Sequence, residues 1–73
     1  MRVEEAITHL RMGAVVRCKR RMYAVDGDGV LYRVFVPEGG LVAKIYGEAT
    51  ISGQDFMTDD WELTGYMFDR GVV

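Results

Sequence analysis

The sequence predicts an α+β domain: an N-terminal helix packed on a small antiparallel sheet of four to five strands, with a short helical turn before the last strand. Three observations carry this. Apolar residues recur at helical spacing over residues 3–10, β-rich runs follow from residue 14 onward, and Gly, Pro and Asp clusters separate those runs at hairpin intervals. With 73 residues the chain is expected to form one domain, 1–73.

Val3, Ala6, Ile7 and Leu10 fall at i, i+3, i+4 and i+7 and mark one face of the opening helix. Glu4 and Glu5 occupy its first turn and Arg11 its last, each at the end that the helix dipole favours. Gly13 stands where a left-handed C-terminal cap is needed. The next run is strand-like, with Val16, Cys18 and Arg20 toward one side and Val15, Arg17 and Lys19 toward the other. Residues 23–25 and 30–36 are β-rich and flank the segment DGDG, whose Asp-Gly pairs read as a two-residue hairpin turn. Asp26 and Asp28 have the spacing of the first two ligands of a calcium loop. No third acid follows them, and Pro37 stands where that loop needs a bidentate Glu. Pro37 ends its strand, PEGG makes a second turn, and LVAKIYG over 41–47 reads as the fourth strand. Ser52 with Asp55 resembles a capping box for a helical turn through Phe56 and Met57. Alternation returns over 59–68, with Trp61, Leu63 and Gly65 on one face. The apolar tail 65–73 reads either as the last core strand or as a surface covered by a neighbouring subunit.

A chain this short buries about 60% of the surface it exposes when unfolded, so its core needs support. Cys18 is the single cysteine and His9 the single histidine, too few for a disulfide or a structural zinc site. Self-association is the remaining route to stability, and 49% hydrophobic residues with five methionines suit it. No membrane span or signal segment is evident, and a lone thiol fits a reducing cytoplasm. The net charge of −2 argues against direct nucleic-acid binding. No nucleophile, base and orienting group come together in the sequence, so no catalytic residues, metal or cofactor are expected and the chain reads as a non-enzyme.

Against this acidic background, Arg17, Lys19, Arg20 and Arg21 crowd into residues 17–21. Two readings stand. Charged residues on a sheet edge discourage edge-to-edge pairing. Alternatively, arginine forks bind phosphate or carboxylate, and Tyr23 and Tyr32 lie close enough in sequence to stack on a base. A different class of function rests on the acids Asp26, Asp28, Asp55, Asp59, Asp60 and Glu62. These could imitate a phosphate backbone and block a nuclease effector complex by protein–protein contact, in the manner of anti-CRISPR proteins. A structural phage or mobile-element protein that associates only with itself is a third reading.

The stretch VEEAITHLRMGAVVRCKR resembles the opening of a family of small phage proteins, in which an acidic helix ending in Gly leads into a Val-Arg-Arg strand. FMTDDWEL resembles the same family's closing motif, an apolar-Asp-Trp-Glu-aliphatic strand after a short helical turn. These are the Thoeris anti-defence proteins of the cyclic-nucleotide sponge type; the resemblance spans residues 2–63 and is carried by its two ends. It implies a helix-plus-sheet protomer that forms a homo-oligomer in the host cytoplasm and sequesters cyclic ADP-ribose-type immune signals between subunits, without catalysis. Arg17 then corresponds to the first Arg of the Val-Arg-Arg strand, and Cys18 replaces the second. Arg21 falls near a position where members carry a stacking tryptophan, and Trp61 matches the closing motif.

Overall fold

The computed structural model describes residues 1–68. Helix α1 (Val3–Arg11) is followed by strands β1 (Ala14–Cys18), β2 (Arg21–Val25), β3 (Leu31–Phe35) and β4 (Lys44–Glu48), the short helix α2 (Gly53–Phe56) and strand β5 (Trp61–Met67). The fold is α+β, with α1 packed on a five-stranded antiparallel sheet of order β4-β3-β2-β1-β5.

α1 buries Val3, Ala6 and Leu10, three of the four residues on the expected face, while Ile7 packs half-buried at its margin. Gly13 closes the helix at φ +92, donating its N–H to the Leu10 carbonyl at 3.0 Å. Alternation then sorts the sheet into two faces. Val16, Cys18, Tyr23 and Trp61 form a core with α1, and Val25 and Leu31 pack against it. The opposite face collects Val15, Ala24, Val34 and Ala43, bordered by Met22, Tyr32, Val36, Tyr66 and Phe68.

That second cluster is enclosed because the sheet curls. Leu41 and Ala43 exchange backbone hydrogen bonds with Met67 at 3.0 and 2.7 Å, so the approach to β4 meets the end of β5. Here the structure differs from the expected fourth strand: pairing with β3 begins at Lys44, because residues 41–43 are drawn to β5 instead. The DGDG turn also differs. It is longer than two residues, with the Asp26 N–H bonded to the Val30 carbonyl and Gly29 at φ +83. The Asp26 carboxylate accepts the N–H groups of Asp28 and Val30, both at 2.9 Å, which holds the wider loop.

The capping expectation at Ser52 is met: its hydroxyl accepts the Asp55 N–H at 3.2 Å. In the tail, Tyr66 and Phe68 border the second core, and residues 69–73 lie outside the described residues. No helix among the described residues is long and apolar enough to cross a membrane.

Candidate functional site

The cation cluster straddles the β1–β2 hairpin, and strand alternation divides it. Cys18 pairs with Arg21 across the hairpin, leaving Lys19 and Arg20 at the turn. Lys19 takes φ +58, a left-handed conformation that costs a non-glycine residue about 1–2 kcal/mol. Its ammonium lies 3.5 Å from Oδ1 of Asp55, and Nη1 of Arg21 lies 3.6 Å from Oδ2 of the same carboxylate. Asp55 is buried, so two half-exposed cations enclose one carboxylate supplied by α2. Lys19, Arg20 and Arg21 with Ser52, Gln54 and Asp55 line a depression of about 380 Å³.

Arg17 points to the other face, where its Nε donates to Glu62 Oε1 at 2.7 Å across the β1–β5 register. Tyr32 also lies on that face, paired with Ala24, and its hydroxyl donates to Asp26 Oδ2 at 3.0 Å. Tyr23 lies on the α1 face, 2% exposed, with its ring centroid 5.6 Å from that of Trp61. The structure therefore brings together Lys19, Arg20, Arg21 and the edge of Tyr23, and separates Arg17 and Tyr32 from them.

Two residues that sequence reasoning did not single out complete a second cleft. Register between β3 and β4 shifts after Arg33: Arg33 pairs with Gly47, and Val34 with Ile45. Tyr46 is the extra residue of this bulge, and the Arg33 guanidinium sits 5.6 Å from its ring centroid. Tyr46 is 75% exposed. The cleft has a volume of about 310 Å³ and is lined by Arg21, Tyr23, Arg33, Tyr46, Glu48 and Thr50. Arg21 is shared by both depressions. Arg33 and Tyr46 are thirteen positions apart, and nothing local in LYRVF or KIYGE announces their meeting.

Burial pushes the Cys18 thiol up, and the Asp55 charge reinforces the shift, so the thiol stays protonated at neutral pH. Burial also raises Tyr23, with Asp55 adding to the effect and Arg21 opposing it. Both stay neutral, which leaves the arginines, Lys19 and the acids to set the local field. Among the described residues no group of three or more His, Cys, Asp and Glu side chains is placed to hold a metal ion.

The acids considered as a protein-binding face are unequal. Asp26 spends its carboxylate on the turn and Asp55 is buried beneath Lys19 and Arg21. Asp59, Asp60 and Glu62 are exposed, with Asp59 3.9 Å from Arg2 and Glu62 paired to Arg17. The chain matches no protein-family model, no curated protein and no solved structure.

Proposed function

We propose that this chain is a phage-type anti-defence protein that sequesters a small cyclic-nucleotide immune signal in the host cytoplasm, as a homo-oligomer and without turnover. The observation that carries the reading is a cleft lined by Arg21, Arg33 and the exposed Tyr46, with the Arg33 guanidinium over the Tyr46 ring. A nucleotide presents a flat base and anionic phosphates, and this cleft answers each with a suitable group. An aromatic face stacks on a base, and guanidinium forks hold phosphate oxygens in charge-assisted pairs about twice as strong as neutral hydrogen bonds. A volume of about 310 Å³ fits one nucleotide unit and not a duplex. The two end motifs that resemble the sponge family support the same reading.

Within it, Arg33 and Tyr46 replace Arg17 and Tyr32 as the residues assigned to ligand, and Arg21 is retained. Lys19 and Arg20 contribute long-range attraction from the adjoining depression. Titration calorimetry against cyclic dinucleotides and cyclic ADP-ribose derivatives tests this. Stoichiometric heat is expected for at least one, with the compound recovered unchanged. Arg33→Gln removes the cation that sits over Tyr46 and should weaken binding about ten-fold or more. No heat across the panel would dismiss the reading, and chemical conversion of the compound would dismiss its non-catalytic part.

A further inference from the structure

Two glycines stand inside strands among the described residues, Gly65 in β5 and Gly47 in β4. Gly65 is explained by its φ of +79. Gly47 is not: its φ is not positive, and a Cβ placed there would meet no atom within 4 Å beyond its own chain neighbours. Neither backbone conformation nor packing against another element therefore asks for glycine at this position. Glycine weakens a strand interior, and where the fold does not require it, it often marks a place where a ligand approaches the backbone closely.

That place is the margin of the nucleotide-sized cleft. Tyr23 pairs with Arg33 and Arg33 with Gly47, so the three form one row across β2, β3 and β4. Directly paired residues share a face of the sheet, and a side chain at position 47 would rise on the face of Tyr23 and Arg33. Both of those residues line the cleft, as do Tyr46 and Glu48 on either side of Gly47 in the chain. The bulge sets Tyr46 against Arg33 as well, so β4 offers that arginine an aromatic ring and, next to it, bare backbone.

We propose that the bare backbone at Gly47 is the contact surface for the base of the bound nucleotide, and that the missing side chain sets how large a ring the cleft admits. The base occupies the space into which a Cβ would project, beside Tyr46, while the arginines hold the phosphates away from position 47. This placement rests on the nucleotide reading of the cleft and adds to it where the base lies.

Gly47→Ala adds a methyl group at this point, and Gly47→Thr a branched side chain suited to strands. Urea unfolding should give both variants midpoints at or above that of the parent, because nothing has to move to admit either side chain. Calorimetry with cyclic ADP-ribose and cyclic di-AMP should show a loss of affinity that grows with the added volume, reaching about ten-fold or more in Gly47→Thr. Pyrophosphate, which carries no base, should bind the parent and both variants alike. A lowered urea midpoint in Gly47→Ala overturns the proposal, since the bulge itself then demands glycine. Equal affinity of the parent and Gly47→Thr for a nucleotide that binds the parent overturns it too, and leaves the cleft reading standing. So does an equal loss of pyrophosphate and nucleotide binding, because position 47 would then act through the arginines. No heat from either nucleotide with the parent dismisses the nucleotide reading and the role of Gly47 together.

Discussion

Asp26 shows how much one side chain can organise. Its carboxylate accepts two backbone N–H groups and the Tyr32 hydroxyl, and these bonds, led by the one from Val30, hold it below its ordinary value of 3.8. A carboxyl lowered by folding contributes stability that is complete above its unfolded value. That contribution drains away as pH falls through the lower folded one. Stability should therefore decline as pH drops from about 3.8 toward that lower midpoint. Asp26→Asn should flatten this part of the stability curve. Urea melts across pH 2–5, with a carboxyl NMR titration, check both statements; an Asp26 midpoint at or above 3.8 contradicts them. The same bond raises Tyr32, whose proton is then retained further into alkali. The place of the turn was legible in DGDG, because Asp and Gly are chosen there for local geometry, but its length was not, since it spans more than the two residues expected. The role of Tyr32 was not: its hydroxyl meets Asp26 only once the loop has closed, and sequence proximity to the cations suggested a stacking partner instead.

Elements whose signals are local were read correctly, and those that depend on distant partners shifted. α1 carries its own periodicity, end charges and glycine cap, and α2 its own serine cap, so each emerges where expected. β4 begins three residues later than LVAKIYG suggested, since only the folded sheet reveals that residues 41–43 belong with the end of β5. β5 reaches that meeting point through a bulge opposite Val15, visible where Ala14 pairs with Met67 but Val16 with Leu63. Gly65 supplies the bend at φ +79, and the Thr64 hydroxyl donates to the Val15 carbonyl at 2.9 Å while accepting the Tyr66 N–H. A Cβ at position 65 would meet nothing within 4 Å, so the cost of Gly65→Ala is conformational alone, about 1–2 kcal/mol. Gly65→Asn should recover part of that loss, because a short polar side chain tolerates the left-handed region. Urea unfolding of the two variants decides the matter; equal stability of Gly65→Ala and the parent protein would show that the bulge relaxes to another geometry.

Across the whole molecule, charge is matched over long sequence distances, which is why the cluster at 17–21 could not be resolved from sequence. Arg17 meets Glu62 forty-five positions away, and Lys19 and Arg21 converge on Asp55 from another element. The anion-site reading took the cations together, whereas strand alternation sends Arg17 to one face and Arg21 to the other; the sheet-edge reading fails because β1 and β2 are interior strands. On the proposed function, an external anion would compete with the internal carboxylate of Asp55 for the same guanidinium. Asp55 holds Arg21 at 3.6 Å, while Arg21 also lines the cleft beside Arg33 and Tyr46. Replacing Asp55 by Asn keeps the shape and removes the competing charge, so Lys19 and Arg21 become free to meet an added anion. Coulomb attraction over a few Å near a protein surface amounts to a few kcal/mol, and salt weakens it wherever solvent reaches both groups. Asp55→Asn should therefore lower the melting temperature without ligand, yet gain more from added pyrophosphate at low salt than the parent protein does. The difference should shrink as sodium chloride rises. Thermal melts over a pyrophosphate series at two salt concentrations measure this directly. If the variant gained no more than the parent, Asp55 would be a passive anchor for the hairpin, and the anion would have to be held by Arg33 without help from Arg21.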